Sequence, residues 1–403
     1  MVCRMLKRQA LQIHRKMIKN RIQGLVAFSF TALLFSCSAT KQGVERGNTE
    51  NMVSQTDSLY MEIQRVGMEA TKNNHVPGVA IAVIQHGKVA WTQSIGFADV
   101  ESKKPVTPET IFNVGSVSKM VSAWGLIQLT EKGLVKLDDP VDQFLVRWKL
   151  PASPYDISKV TLRRILSHTA GLSVHGYGGS EQGTPLLSLE ESLSGKTKRN
   201  GESVRLISEP GTKWEYSGGG YTLAQLLLEE RTKEKFAVYM KKNVFEPLGL
   251  NHTHYEWTED MMANSATAYD ASGKPIKNRI FTEQAAAGLQ TTVLDLAHFA
   301  ELSITSDPSQ LNKVLKSTNL QVMEKQVLPF SDQGKSGLGY RFMNYEGLET
   351  IGHTGENEGW SAGVFMHLPT KSGIVILCNG SNGDRVWYPI YQSWAKRIKE
   401  NKK

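Results

Sequence analysis

The sequence predicts a fold of the α/β class, more narrowly α+β, with one antiparallel sheet assembled from both ends of the chain and helices on its faces. Strand-like runs fall at about 77–112 and 335–395, while the spacing of apolar residues is mostly helical across about 113–300. The chain has 403 residues, of which 40% are hydrophobic, and this is ample for a substantial core. We therefore expect one folded domain over 58–395, built as a sheet with a mostly helical insertion.

The strand predictions rest on short apolar runs bounded by turn residues. Residues 77–98 predict two strands joined by a turn at His86 and Gly87. The C-terminal part predicts four more strands and then a closing helix, at 338–343, 348–351, 363–368, 373–378 and 388–399. Because the two groups lie at opposite ends of the chain, a single shared sheet would bury both.

A long helix is predicted directly after Ser116. Lys132 and Gly133 mark its end, and apolar side chains recur between at steps of three and four residues: Val117, Met120, Val121, Trp124, Ile127 and Leu129. Ser116 then lies in the first turn, where free N–H groups favour developing negative charge, and Lys119 follows one turn later on the same face. A neighbouring base can activate a serine hydroxyl, and a buried lysine loses part of its preference for the charged form. The pair is therefore a candidate nucleophile and base.

The net charge of +8 is concentrated at the N-terminus. Residues 1–36 contain seven basic residues and no acidic one, whereas the remainder has 40 basic against 39 acidic residues. Residues 396–403 form a short basic tail, which is the other local excess of positive charge. Because a nearly neutral body offers no electrostatic footprint for nucleic acid, we expect no nucleic-acid partner.

The first 36 residues are interpreted as an export signal. A basic segment precedes a short apolar run at 24–35, too short for a comfortable membrane span, and translation could also begin at Met17. Ser36 and Cys37 follow, and this junction resembles the lipobox of bacterial lipoproteins. The resemblance implies cleavage before Cys37, lipid attachment to it and a cell-envelope location; ordinary signal cleavage nearby is the alternative. Residues 37–57 are polar and predict a flexible tether.

Cysteine and histidine usage predicts neither a disulfide framework nor a metal site. The three cysteines are Cys3, Cys37 and Cys378, and the last lies in an apolar run where a buried small side chain is expected. His252 and His254 lie close together but lack further ligands in the sequence. We expect no metal and no cofactor.

Seven further segments, together with the Ser-x-x-Lys pair, occur in the order typical of one enzyme family. The chain resembles the serine β-lactamase-like family, which comprises class C β-lactamases, D-alanyl-D-alanine carboxypeptidases and related esterases. The resemblance covers about 58–395 and implies a β-lactamase/transpeptidase-like fold. The segments are PGVAIAVIQHGK, GLVKLDDPV, LRRILSHTAGL, WEYSGGGYTLAQLLLEE, FEPLGL, AAAGLQTTVLDLAHF and GHTGENEGWSAGVFMHLP.

The resemblance implies roles for individual residues. Ser116 and Lys119 match the family's nucleophile pair. Tyr216 matches the motif tyrosine, expected to shuttle a proton and, beside a cation, to favour its phenolate form. The strand formed by His353, Thr354 and Gly355 would line the site. The resemblance implies that the backbone N–H groups of Ser116 and Glu356 form the oxyanion hole. The residues expected on the substrate side of the site are His353, Thr354, Gly355, Glu356 and Gly218.

Two positions depart from the family pattern. Gly218 stands where the tyrosine motif usually ends in asparagine, and its missing side chain is expected to leave room and to remove a hydrogen bond to a substrate amide. His353 stands in place of the lysine of Lys-Thr-Gly. Because histidine is charged only below its ordinary pKa of about 6.5, recognition of a substrate carboxylate by His353 is expected to depend on pH.

These features predict a lipid-anchored cell-envelope serine hydrolase acting through an acyl-enzyme. Its substrate is expected to be a small molecule or a peptidoglycan-derived compound: a D-Ala-containing peptide, an ester or a β-lactam. The departure at Gly218 favours a D,D-peptidase or esterase over an efficient β-lactamase. The alternative is a non-catalytic peptidoglycan- or ligand-binding sensor module on the same fold.

The lipobox-like junction generates the first testable prediction. We expect Cys37→Ala to release the protein from the membrane fraction or to block its maturation, because no acyl chain can then be attached. Fractionation in high salt measures this, since salt removes proteins held only by charge. A Cys37→Ala protein that stays in the membrane pellet would contradict the lipoprotein interpretation.

Overall fold

The computed structural model describes residues 47–196, 201–331 and 334–400. The predicted signal at 1–36 and the lipidation candidate Cys37 lie outside the described residues. No helix within the described ranges combines the length and the apolar character needed to cross a membrane.

One antiparallel sheet of nine strands forms the centre of the described domain. In chain order the strands are β1 Gly78–Gln85, β2 Lys88–Asp99, β3 Lys104–Pro105, β4 Val327–Ser331, β5 Gly334–Ser336, β6 Arg341–Tyr345, β7 Leu348–Asn357, β8 Trp360–His367 and β9 Ser372–Cys378. Their spatial order is β4-β5-β6-β7-β8-β9-β1-β2-β3. The N-terminal and C-terminal strands meet where β1 pairs with β9, with Val79 opposite Cys378. The predicted sheet built from both chain ends is therefore confirmed.

The described part of the chain contains five longer helices. They are α1 Gly47–Asn73, α2 Val117–Glu131, α3 Gly218–Thr232, α4 Val293–Thr305 and α5 Asp384–Glu400. Shorter helical turns are Val141–Phe144, Ile157–Lys159, Leu162–Leu166, Leu189–Leu193, Phe236–Met240, Lys241–Phe245, Glu246–Leu248, Glu259–Asn264, Gln284–Ala287, Pro308–Leu311, Ser317–Met323 and Leu368–Thr370. Three two-stranded ribbons complete the secondary structure: Phe112–Asn113 with Gln290–Thr291, Ser180–Glu181 with Arg279–Ile280, and Ala268–Tyr269 with Pro275–Ile276.

The two faces of the sheet bury separate apolar clusters, as expected for a strand whose side chains alternate. Along β1, Ala80 and Ala82 face the larger cluster, which contains α2, α3 and α4. Val79 and Ile81 face the smaller cluster, which contains α1 and α5. The sheet is thus a middle layer, and helix α2 is buried between the sheet and the remaining helices over almost its whole length.

Several boundaries differ from those predicted. Helix α1 begins at Gly47, inside the segment 37–57 interpreted as a tether. Residues 48–58 contain no proline or glycine to end a helix, so the polar segment extends the amphipathic run that follows it. Strand β7 continues six residues beyond the predicted end at 351, and β6 begins three residues after the predicted start at 338. Helix α5 also runs through most of the predicted basic tail 396–403, as far as Glu400.

Candidate active site

Ser116 lies at the junction between a short strand and the buried helix α2. The tight turn before it uses Gly115 with a φ of +50°, a backbone conformation that favours glycine. The Asn113 side chain fixes this turn, because its Oδ1 accepts the Gly115 N–H at 2.9 Å. Asn357, at the end of β7, donates to the same oxygen at 2.6 Å. The turn is therefore tied to the neighbouring strand.

Lys119 lies one helical turn after Ser116, and the two side chains are hydrogen-bonded. The Lys119 Nζ lies 3.0 Å from the Ser116 Oγ and 2.7 Å from the carbonyl oxygen of Ala286. The lysine is 1% exposed. Burial, reinforced by the positive charge of Arg341, lowers the pKa of Lys119 from 10.5 to about 7. An appreciable fraction of this amine is neutral at neutral pH and can accept the serine proton.

Tyr216 completes the group around Ser116. Its hydroxyl hydrogen-bonds with Ser116, and its ring centroid lies 4.9 Å from the Lys119 Nζ. Burial raises the pKa of the Tyr216 phenol, although the Ser116 hydrogen bond and the Arg341 charge oppose this. The expectation that Tyr216 favours its phenolate is therefore wrong, because desolvation outweighs the nearby positive charge. Lys119 is the better base, and Tyr216 is a neutral phenol that can relay a proton.

His168 holds Tyr216 in place. Its Nδ1 accepts the N–H of Ser217 at 3.1 Å, and its ring lies 4.3 Å from the Tyr216 ring. Ser217 in turn caps helix α3, since its Oγ accepts the N–H of Gly220 at 2.9 Å. Burial lowers the pKa of His168 well below its usual range, so the imidazole stays neutral and keeps Nδ1 as an acceptor.

Strand β7 brings its backbone against the nucleophile turn. The strand pairs with β6 only as far as Gly352, and from His353 onward only β8 remains as a neighbour. A Cβ atom added to Gly355 would lie 2.7 Å from the Ser116 nitrogen, and one added to Gly115 would lie 2.6 Å from the Glu356 nitrogen. Only glycine permits this approach, which brings the N–H groups of Ser116 and Glu356 to the same region. That arrangement is compatible with the predicted oxyanion hole.

A large cavity of about 1670 Å³ opens onto Ser116. Its walls come from the loop around His175, the segment before α3 and the exposed edge of β7, which contributes Thr354, Gly355 and Glu356. Arg341, the first residue of β6, also lines it, with its guanidinium carbon 5.9 Å from the Tyr216 ring centroid. The cavity thus brings together a serine hydroxyl, a buried amine, a phenol and a guanidinium.

Comparison with known proteins identifies the family. The family model described as Beta-lactamase matches residues 60–389. The chain belongs to the β-lactamase family. It is 32% identical to a β-lactamase of Pseudomonas fluorescens over 349 residues, covering 77% of this chain and 91% of that protein.

Two further relatives extend the comparison. Protein flp of Staphylococcus aureus strain N315 is 22% identical over 336 residues, covering 80% of this chain; the match spans only 64% of that protein's length. The structure of the octameric penicillin-binding protein homologue from Pyrococcus abyssi superposes with a TM-score of 0.68 at 26% identity. That superposition covers 80% of this chain and 74% of the other. Together the matches support membership of the β-lactamase family and its antiparallel sheet flanked by helices.

His353 does not have the environment that its place in the family motif suggested. Its side chain is 1% exposed, its Nδ1 lies 2.5 Å from the Thr354 carbonyl oxygen, and it is absent from the cavity lining. Burial and the charges of Arg341 and Lys119 lower the pKa of His353 well below its usual range. The predicted pH-dependent binding of a carboxylate by His353 is therefore wrong. Arg341, which sequence reasoning missed, contributes a guanidinium to the cavity lining.

Gly218 also differs from expectation. It is the first residue of α3, and its N–H donates to the His175 carbonyl at 3.0 Å. A Cβ atom added there would lie 3.0 Å from that same oxygen and 3.4 Å from the Tyr177 ring. The missing side chain therefore leaves no free room, because a distant segment of the chain fills the space. The loss of an asparagine amide remains a real departure from the family motif.

A second serine pattern in the chain carries no catalytic geometry. Residues 359–363 read Gly-Trp-Ser-Ala-Gly, which matches the Gly-x-Ser-x-Gly pattern of α/β-hydrolases. Ser361 is 1% exposed within strand β8, and its Oγ accepts the indole N–H of Trp387 at 2.8 Å. That pattern requires a sharp strand-to-helix turn. A buried mid-sheet serine bonded to an indole does not meet this requirement.

The lowered pKa of Lys119 generates a prediction about pH and Tyr216. Because the amine must be neutral to accept the serine proton, we expect kcat/KM for a neutral ester to fall as pH drops through about 7. We expect Tyr216→Phe to lower kcat by roughly 10²–10⁴-fold, the effect of a lost acid–base group. In this variant the fall of kcat/KM on the acidic side of the pH profile should still be centred near pH 7. The reason is that the Tyr216 phenol is neutral whether Lys119 is charged or neutral.

Stopped assays across pH 5–9 on the parent and on Tyr216→Phe measure both effects. His254→Gln provides a control, because this half-buried histidine lies outside the cavity lining. Unchanged turnover in Tyr216→Phe would remove Tyr216 from the chemistry. An acidic limb that moves by a full unit would show that the tyrosine ionises together with Lys119.

Proposed function

We propose that this protein is an acyl-enzyme hydrolase of the cell envelope that cleaves small esters and D-Ala-type peptides. The carrying observation is the buried amine of Lys119, hydrogen-bonded to the Ser116 Oγ at 3.0 Å with a pKa of about 7. In a protein this arrangement makes a serine nucleophilic without a histidine. Intact geometry at Ser116, Lys119 and Tyr216 argues against a purely ligand-binding sensor.

The proposed reaction has two halves. Lys119 takes the Ser116 proton as Oγ attacks the substrate carbonyl carbon, and the N–H groups of Ser116 and Glu356 stabilise the oxyanion. Tyr216 then gives its phenolic proton to the departing oxygen or nitrogen and recovers one from the Lys119 ammonium. The acyl group is left on Ser116 as an ester. A water molecule repeats the attack with the proton transfers reversed and releases the acid.

Esters are the favoured substrates within this proposal. With Gly218 in place of asparagine, the N–H of a substrate amide loses a hydrogen-bond partner. A buried polar group without a partner costs about 1–3 kcal/mol, which an ester avoids because it has no N–H. A new side chain at position 218 would press on the His175 carbonyl. The preference for esters therefore depends on how the backbone packs here, and replacing Gly218 alone would not reverse it.

Arg341 is the proposed binding group for a substrate carboxylate. A guanidinium stays charged at every physiological pH and forks towards two carboxylate oxygens. The other cavity-lining arginine, Arg279, already pairs with Glu358 at 2.8 Å. Recognition of a terminal carboxylate, as in D-Ala peptides, would then be independent of pH. The proposed location in the envelope rests on the lipobox-like Cys37.

The nucleophile assignment is tested by covalent labelling. We expect fluorescent penicillin to label the parent, because a β-lactam acylates a serine of this kind, and we expect Ser116→Ala to lose both labelling and p-nitrophenyl ester hydrolysis. Ser361→Ala is the matched control for the second serine pattern. A Ser116→Ala protein that still hydrolyses the ester would refute the proposed function.

The carboxylate-binding role is tested by comparing two substrates. For Arg341→Gln we expect kcat/KM on a carboxylate-bearing ester to fall about 10- to 100-fold, the value of a hydrogen bond to a charged group. The matched neutral ester should lose much less. Arg279→Gln is the control, since it lines the same cavity but its charge is already paired. If Arg341→Gln lowers kcat/KM equally for both esters, Arg341 does not select for a substrate carboxylate.

A further inference from the structure

A second cavity adjoins the catalytic one across strand β7. Its volume is about 550 Å³, and two residues, Thr354 and Glu356, line both cavities. On β7 these side chains lie on the opposite face from that of His353, towards helix α5. The remaining walls come from the first turns of that helix. The two cavities therefore share a wall at the free edge of β7.

Two carboxylates, those of Glu356 and Asp384, line the second cavity. Glu356 lies near Asp384, whose charge adds to partial burial in raising the pKa of the Glu356 carboxyl. Within 47–196, 201–331 and 334–400, neither carboxylate forms an ion pair with a basic side chain. Arg385 also lines the cavity, but its side chain is exposed and does not lower the Glu356 pKa.

Two aromatic rings on the same helix as Asp384 also line this cavity. Trp387 and Tyr388 stand edge to face, with ring centroids 6.1 Å apart and an interplanar angle of 77°. The Trp387 indole is held by its hydrogen bond to Ser361 and by packing against Phe365. Tyr388 is 49% exposed at the rim. Aromatic faces beside carboxylates attract cations through the ring quadrupole as well as by charge.

We propose that this second cavity is a subsite for a cationic group of the substrate, a primary or quaternary ammonium. Glu356 and Asp384 would face the cation, and Trp387 with Tyr388 would cover its alkyl groups. The inference rests on the proposed hydrolase function and adds the substrate class to it: esters or peptides that carry an ammonium group a few bonds from the scissile carbonyl. With Arg341 in the catalytic cavity, the site would accept zwitterionic substrates.

Two pairs of isosteric esters test the subsite. The p-nitrophenyl esters of 4-(trimethylammonio)butanoate and 5,5-dimethylhexanoate place the cation on the acyl side. Acetylcholine and 3,3-dimethylbutyl acetate place it on the leaving-group side. We expect kcat/KM to favour the cationic member of at least one pair about tenfold or more, as a desolvated cation–aromatic contact with carboxylates provides. A preference below twofold in both pairs would overturn the proposal.

Variants identify the residues that select the cation. We expect Asp384→Asn and Tyr388→Ala each to reduce the cation preference at least threefold while the neutral esters react as in the parent. Glu349→Gln is the matched control, because Glu349 is an exposed carboxylate at the far end of the same strand. A preference that survives in both Asp384→Asn and Tyr388→Ala would place the cation elsewhere and refute the subsite.

A binding measurement separates this subsite from the hydrolase function. We expect choline to perturb the fluorescence of Trp387 in the full-length Ser116→Ala protein, whereas neutral 3,3-dimethylbutan-1-ol should do so only at much higher concentration. Trp387→Phe should remove that signal. If choline binds but no ester is hydrolysed by the parent, the subsite stands and the proposed function fails. If neutral esters are hydrolysed but choline gives no Trp387-dependent change, the subsite fails alone.

Discussion

The rest of the site depends on the desolvated amine of Lys119. In the described part of the chain this lysine has no carboxylate partner, and its nitrogen is satisfied by the Ser116 hydroxyl and the Ala286 carbonyl. Burial without a counter-ion stabilises the neutral amine, because the charged form loses its hydration and gains only dipoles in return. The apolar helix that buries the lysine is therefore also what makes it a base. The packing that buries Lys119 is thus also the cause of its lowered pKa.

A second constraint is the point where strand β7 loses one of its neighbours. Pairing with β6 ends at Gly352, so the following residues present a free edge to the nucleophile turn. Backbone N–H groups at such an edge are rigid donors that need no reorganisation when charge develops nearby. The glycines at 115 and 355 permit the two backbones to approach. Sheet topology thus brings the proposed oxyanion donors next to the proposed nucleophile and base at the start of helix α2.

Much of this architecture could be predicted from the sequence, and the remainder depended on distant contacts. Apolar periodicity predicted α2 because that helix is buried, and the order of the motifs predicted Ser116, Lys119 and Tyr216 together. Whether His353 faces the cavity depends on which side of β7 it occupies and on the charges beside it, which no local pattern contains. The space at Gly218 is filled by residues some 40 positions earlier in the chain, so spacing around Gly218 could not show it.

Arg341 provides a positive charge near the position where the family motif has a lysine and this chain has His353. A neutral, buried histidine at 353 leaves no cation on the inner face of β7, and the guanidinium of the adjacent strand lies across the gap beside Tyr216. Arg341 could have been noticed as a lone cation in the apolar run GLGYRFM, where strand alternation allows it to face the core side. A permanent charge at this position has two effects. It lowers the pKa of Lys119, and it attracts anionic groups of a substrate to the same cavity. Base strength and substrate charge are therefore coupled through one side chain.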